Sequence, residues 1–160
     1  MIINTDAIVL KTFSYGETSL ISRCFTKDKG KISFIIKGAK SKKNLVSPYF
    51  QPLSFINIIY KENEKRELQI VSKVSFVQIW TQIPMSLRKM SLSQSILEIS
   101  DFTLEKNDPY PNLFNILIKT LQIFESGDID ENILFWNYEF KILSEMGFMI
   151  NIDDNSDSEL

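Results

Sequence analysis

The alternation of apolar and polar positions predicts a strand-rich first half. Residues 7–76 contain five short runs rich in β-branched and aromatic residues, each bounded by turn-forming residues. Five strands at such close spacing predict a small, closed or partly closed β-barrel, of the size and strand count of the barrels that bind oligonucleotides. The predicted strands are Ala7–Phe13, Leu20–Thr26, Lys31–Lys37, Phe55–Tyr60 and Leu68–Phe76.

After Trp80 the apolar residues recur with the period of a helix instead. We predict a first helix over Met85–Leu104 and a second that is capped by Asp108, has Pro109 in its first turn and ends at Ser126. A third helix carries two neighbouring apolar stripes, which predicts burial on more than one side. The stripes are Ile133, Trp136, Phe140 and Leu143, and Leu134, Tyr138 and Ile142.

These patterns predict an α+β protein with three parts. A five-stranded barrel domain occupies residues 1–79 and an α-helical domain occupies residues 82–150. The polar, acidic residues 151–160 are expected to form a disordered tail.

Composition then narrows the chemistry. The 160 residues include no histidine and a single cysteine, Cys24, which excludes histidine-dependent triads, intrachain disulfides and cysteine-rich zinc sites. Cys24 lies in an apolar strand and is expected to be a buried hydrophobic side chain rather than a nucleophile. Phosphate-binding glycine motifs are absent, and the longest uncharged stretch, residues 44–60, contains two prolines and is unsuited to span a membrane.

From this composition we expect a protein that is not an enzyme and that uses no metal or other cofactor. We expect no small-molecule substrate and no membrane partner. The single thiol fits a reducing compartment, and the first residues lack the positive segment of a signal peptide. A cytoplasmic, nucleoid-associated location is therefore expected.

Charge is divided unevenly along the chain. The formal net charge is −2, but residues 1–80 carry +7 and residues 81–160 carry −9. Such asymmetry favours a basic functional module joined to an acidic one over random drift in surface charge.

The basic residues of the first half predict a surface that binds nucleic acid. Four lysines fall within residues 37–43, where Gly38 lets the chain bend as it leaves the third strand. A continuous cationic face would attract a phosphate backbone, and Tyr15 and Tyr49 are candidates for stacking on bases. A solvated loop that serves only solubility is the alternative. The candidate cationic residues are Lys11, Arg23, Lys27, Lys29, Lys31, Lys37, Lys40, Lys42 and Lys43.

A series of short motifs follows one another in a characteristic order. They are AIVLKT at 7–12, YGETS at 15–19, FTKDKGK at 25–31, KGAK at 37–40, QPL at 51–53, LF at 113–114, Leu121 and LSEMGF at 143–148. In this order and spacing they resemble the bacterial DNA repair protein RecO family over roughly residues 1–150.

The resemblance implies an N-terminal OB-fold that binds DNA and an α-helical C-terminal domain. It also implies a recombination mediator of the RecF pathway, which binds single- and double-stranded DNA and anneals complementary strands. The implied partners are RecR and the single-strand DNA-binding protein, and the implied outcome is loading of RecA.

The sequence departs from the family after its last motif. Many members continue into a cysteine-rich zinc segment and further helices, whereas acidic residues follow here. We therefore expect a short or C-terminally truncated member to which no zinc site carries over. The single-strand DNA-binding protein remains an implied partner only if its binding does not require those helices.

Two other functions agree with the same pattern. A non-catalytic protein-interaction module would dock a partner on its helical half and use the lysines only for solubility. An RNA-binding OB-fold protein would prefer RNA over DNA of matched sequence, because the 2′-hydroxyl would be recognised.

Overall fold

Five strands form where β-branched and aromatic residues alternate with polar ones. The structure is a computed structural model that describes residues 1–148; the acidic tail expected at 151–160 and the last two residues of the expected helical domain lie outside the described residues. The strands are β1 Ile2–Tyr15, β2 Ser19–Thr26, β3 Gly30–Ile36, β4 Phe55–Lys61 and β5 Leu68–Gln78.

The strands close into a barrel in the order β1-β2-β3-β5-β4, with β4 paired to β1. The β3–β5 pairing is parallel and the other pairings are antiparallel. This closed five-stranded barrel, followed by helices, confirms the predicted OB-fold and the α+β class. Cys24 is fully buried inside the barrel, where burial raises the pKa of its thiol to about 12 against a smaller opposing effect of the Ser22 hydroxyl.

A β-bulge in the middle of β1 sets the direction of its side chains. Val9 pairs with Cys24 and Lys11 pairs with Arg23, so Leu10 is the extra residue in β1. Val9 packs inside the barrel, whereas Leu10 packs outside it against the helices. The bulge therefore turns Lys11 outward, although unbroken alternation from Val9 would point it into the barrel.

Three α-helices follow the barrel: α1 Leu87–Thr103, α2 Pro111–Ser126 and α3 Glu131–Glu145. Short 3-10 turns occupy Ser47–Phe50 and Ile83–Met85. The predicted start of the second helix at Asp108–Pro109 is wrong, because Tyr110 precedes the helix and Pro111 is its first residue. Asp108 instead packs its backbone against Gly30 and accepts a 2.8 Å hydrogen bond from the Tyr110 hydroxyl.

The helices share a hydrophobic core with one outer side of the barrel. Phe25 of β2 meets Phe114 of α2 edge-on with ring centroids 5.4 Å apart. Trp80 lies 9% exposed in the same core and donates a 2.9 Å hydrogen bond from Nε1 to the carbonyl of Leu53. This packing fixes the position of the helices on the barrel.

Only one stripe of α3 is buried. Leu134, Tyr138 and Ile142 face the core, where the Tyr138 hydroxyl lies 2.7 Å from Ser100 Oγ. The expectation of burial on more than one side is wrong for the described residues, because α1 and α2 both pack on this one side. The exposed stripe contains Ile133, Trp136, Phe140 and Leu143.

Candidate nucleic-acid interface

The lysine-rich loop is fastened beside the turn that joins β1 to β2. The backbone amide of Lys40 donates a 3.0 Å hydrogen bond to the carbonyl of Thr18, and its Nζ lies 3.4 Å from the carbonyl oxygen of Gly16. Gly38 adopts the left-handed conformation expected of it, with φ of 67°, and Ala39 is buried beneath the loop. We call residues 15–19 and 37–43 together the open end of the barrel.

The open end presents free cationic groups. Lys37, Lys40, Lys42 and Lys43 are all exposed, and none forms an ion pair with a carboxylate of residues 1–148. Tyr15 lies 52% exposed at the same end. An aromatic ring beside unpaired lysines is the combination that holds a single strand through base stacking and phosphate contacts.

An exposed sheet face leads away from the open end. The side chains of Lys11 and Phe13 both point outward from β1, because side chains two residues apart lie on the same face of a strand. Phe13 is 41% exposed, and the guanidinium of Arg23 lies 5.9 Å from its ring centroid. The sequence-derived candidates omit Phe13, because strand alternation points several aromatic residues of this half into the barrel, and Tyr15 and Tyr49 are preferred for their turn-like positions.

The remaining candidate lysines lie at the opposite end of the barrel. Six residues of β2 separate the two ends, which corresponds to about 20 Å. Lys27 is exposed there in the β2–β3 turn, whereas Lys29 pairs with Glu62 at 2.9 Å. Lys31 is only 8% exposed. We call residues 27–31, with residues 101–108 that pack on them, the covered end.

Lys31 and Arg23 are both compensated by one carboxylate from α1. Lys31 Nζ donates to the carbonyl of Asp101 and lies 3.8 Å from its Oδ1, and Arg23 lies 3.3 Å from Asp101 Oδ2. Burial lowers the pKa of Lys31, while Asp101 acts in the opposite direction. Helix α1 thus neutralises part of the basic face. Of the nine candidate cations, four lie at the open end, three lie at the covered end, and Lys11 and Arg23 lie side by side on the sheet face between them.

Tyr49 is less available for stacking than Tyr15. It is half-buried in the turn after the basic loop, and its ring stacks on Phe76 of β5 with centroids 4.5 Å apart. One face of Tyr49 is therefore already occupied by another aromatic ring.

Two further features, a candidate metal site and a membrane-spanning helix, are both absent from residues 1–148. Within residues 1–148, no group of three or more Cys, Asp or Glu side chains is arranged to hold a metal ion. No helix of the described part is long and apolar enough to cross a membrane. The geometry of the open end is suited to reversible binding of a polyanion.

Comparison with known proteins gives consistent matches along the chain. Residues 1–80 match the family described as Recombination protein O N terminal, and residues 85–159 match Recombination protein O C terminal. A protein of Salinibacter ruber named DNA repair protein RecO is 32% identical over 120 residues, covering 75% of this chain and 46% of that protein.

Two further proteins of the same name show similar coverage. The Streptococcus gordonii protein is 31% identical over 152 residues, covering 95% of this chain and 57% of its own length. The Chloroherpeton thalassium protein is 26% identical over 151 residues, covering 94% and 58%. This chain therefore spans about half the length of the curated relatives that it matches.

Proposed function

Because this chain belongs to the RecO family of DNA repair proteins, we propose that it is a recombination mediator of the RecF pathway that binds single- and double-stranded DNA. The main observation that supports this proposal is the composition of the open end. Its four exposed lysines lack carboxylate partners within the described residues, and Tyr15 and Phe13 lie exposed beside them.

The proposed binding has two components. Lysine ammonium groups displace the counterions of the phosphates, which gives affinity without sequence preference. Tyr15 and Phe13 stack on unpaired bases, which favours single strands over duplexes. Lys27 at the covered end lies too far away to contact the same few nucleotides.

The proposed activities are annealing of complementary strands and assistance of RecA loading together with RecR. The single-strand DNA-binding protein is the second proposed protein partner, and a cytoplasmic, nucleoid-associated location goes with these roles. Annealing and loading form and break no covalent bond, so the proposed protein is not an enzyme. Family membership supports these activities, and the open end offers the DNA contacts that they require.

A salt titration of DNA binding tests the proposal. We expect the logarithm of the affinity for a labelled single strand to fall by ~0.7 for each tenfold rise in salt and each phosphate contact. The quadruple change of Lys37, Lys40, Lys42 and Lys43→Glu should lower the affinity by about tenfold or more and flatten the salt dependence.

Lys27→Glu is the control for any one of these four substitutions made singly, since it makes the same change of charge on one exposed lysine at the other end of the barrel. It should alter the affinity by about twofold at most. Unchanged affinity in the quadruple variant would refute the open end as the DNA surface. A strand-annealing assay with and without the cognate single-strand DNA-binding protein then tests the mediator role, and matched RNA in place of DNA tests the RNA-binding alternative.

The exposed stripe on α3 favours a second candidate, a protein-interaction module. Ile133, Trp136 and Phe140 are each more than half exposed on adjacent turns of one helix, and such apolar patches mark protein contacts. This candidate predicts a protein partner that is lost on Trp136→Ala and no retention of DNA at moderate salt.

A further inference from the structure

A cleft separates the exposed sheet face of the barrel from the last turn of α1. Its volume is about 420 Å³, and it is lined by Leu10, Lys11 and Arg23 from the strands and by Glu98, Asp101 and Phe102 from the helix. The bulge at Leu10 creates one wall, because it turns Lys11 toward the cleft while Leu10 stays against the helical core. The cleft continues the face that carries Phe13.

Phe102 is the unusual residue of this cleft. Its side chain is 94% exposed, the highest exposure among the large hydrophobic residues of the described part. A phenylalanine so exposed contributes nothing to the hydrophobic core, and the face of its ring is available to stack on a planar ligand.

An ion pair between the two halves of the chain forms the base of the cleft. The guanidinium of Arg23 lies 3.3 Å from Asp101 Oδ2 and joins β2 to α1 there. Arg23 Nε and Asp101 Oδ1 are buried without a hydrogen-bond partner among the described residues, but both atoms are closed to solvent and Asp101 Oδ1 lies 3.8 Å from Lys31 Nζ. The ion pair therefore shapes the cleft, and these two buried atoms do not face a ligand in it.

The charges of the residues that line the cleft indicate which kind of ligand it can bind. Lys11 and Arg23 are balanced by Glu98 and Asp101, so the interior of the cleft is close to neutral and is not a phosphate site. A nucleobase is neutral, planar and edged by donors and acceptors, and it matches an aromatic ring beside a balanced pair of charged groups.

We propose that this cleft receives one nucleobase of a bound single strand, stacked on Phe102, while Lys11 contacts a neighbouring phosphate. The proposal rests on the proposed DNA-binding function and extends its surface from the barrel to the helical half. The strand runs from the open end along the face of Phe13 and enters the cleft beside α1.

The test compares Phe102→Ala with Leu87→Ala in the full chain. Leu87 is the matched control because it is 85% exposed on the same helix, about 22 Å from Phe102 along the axis. Both variants should fold normally, since neither side chain is in the core, and thermal unfolding checks this. Binding is measured with a fluorescent oligodeoxycytidine and with an abasic strand of the same length.

We expect Phe102→Ala to weaken binding of the oligodeoxycytidine by about fivefold or more without changing its salt dependence, because stacking releases no counterions. The loss should vanish on the abasic strand, which has nothing to stack. Phe102→Trp should restore affinity, and its indole fluorescence should be quenched on binding. Lys11→Gln should instead reduce the slope of the salt dependence by ~0.7.

Affinity unchanged by Phe102→Ala, or reduced equally on both strands, would overturn the cleft proposal. If the lysine-loop variant still loses binding in that case, the open end stands and only the cleft fails. If the parent protein binds neither strand, both proposals fail together.

Discussion

The two ends of the barrel carry similar numbers of basic residues but differ in what surrounds them. At the open end, the four lysines of residues 37–43 have no ionic partner among the described residues. At the covered end, Lys29 is paired with Glu62, and Lys31 is buried against Asp101. Lysine is thus exposed and without a carboxylate partner at the open end, whereas at the covered end two of the lysines of residues 27–31 are compensated by carboxylates and only Lys27 is exposed.

The difference shows that carboxylates from distant parts of the chain decide which lysines are available. Asp101 lies 70 residues from Lys31 along the sequence and reaches it only because α1 packs on the barrel. The acidic second half therefore neutralises part of the basic half. Four sets of substitutions test these contacts, in order of decreasing expected effect.

Gly30→Ala should disrupt the covered end most strongly. Gly30 has φ of 71°, and a Cβ there would lie 1.9 Å from the carbonyl oxygen of Asp108. We expect a loss of more than about 3 kcal/mol in the free energy of unfolding, because neighbouring backbone has to move. Chemical denaturation measures it.

Gly16→Ala at the open end is the matched control for that change. Its φ is 61°, but a Cβ there would meet nothing within 4 Å. Only the conformational strain remains, and it costs about 1 kcal/mol. Equal losses in the two variants would contradict the difference between the ends.

Asp101→Asn should leave the buried Lys31 without its carboxylate. The substitution also removes the ion pair of Asp101 with Arg23. We expect about 2 kcal/mol lower stability, which is less than for a fully buried ion pair because the side chain of Arg23 is 29% exposed. Glu98→Gln, on an exposed residue of the same helix, should cost less than about 0.5 kcal/mol. Adding Lys31→Met to Asp101→Asn should restore part of the loss, and failure to do so would mean that Lys31 is not the group left uncompensated.

Glu125 of α2 holds the segment that links β5 to α1 and makes this attachment sensitive to acid. Its carboxylate accepts hydrogen bonds of 2.6–3.0 Å from the backbone amides of Thr81, Gln82 and Ile83. Burial raises the pKa of Glu125, but these amides and the Thr81 hydroxyl outweigh it and lower that pKa to about 2.

The resulting stabilisation is present above the ordinary carboxyl pKa of 4.5 and is lost as pH falls from 4.5 toward 2. Glu125→Gln should cost about 1 kcal/mol at neutral pH, and the difference from the parent protein should shrink over that acidic range. A difference that stays constant between pH 5 and 2, measured by denaturation, would contradict the assignment. Binding of DNA at neutral pH should not change.

Tyr15→Ala and Tyr49→Ala should show which of the two tyrosines contributes to DNA binding and which to stability. Tyr15 is exposed at the open end, so its loss should weaken single-strand binding by about fivefold. Tyr49 is stacked on Phe76, so its loss should lower stability by about 1 kcal/mol and leave DNA binding within about twofold. Fluorescence titration and thermal unfolding of both variants decide between these outcomes.

The five-stranded barrel and the burial of Cys24 could be predicted because they follow from local periodicity. Alternation of side chains marks the strands, and glycine at position 38 marks the turn that releases the lysines. The four lysines could be predicted as one group because they lie in a single loop, residues 37–43, whereas the position of Tyr15 beside that loop depends on contacts such as that of Lys40 with Thr18.

The cleft beside Phe102 could not be predicted in this way. On the helical pattern Phe102 is one apolar residue among many, and no sequence signal marks it as exposed. The bulge at Leu10 also leaves no clear signature, yet it reverses the direction of Lys11 and Phe13. These features depend on how β1 pairs with β2 and on where α1 ends against the sheet.

Local periodicity and composition sufficed for the number and kind of the strands and helices and for the division of charge between the halves, because these are properties of neighbouring residues. Which cations remain free depends on the fold, because the pairing of Arg23 and Lys31 with Asp101 requires the end of α1 to lie beside the barrel. A charge is available for binding only if no opposite charge lies within a few ångströms of it, and that distance is set by the fold.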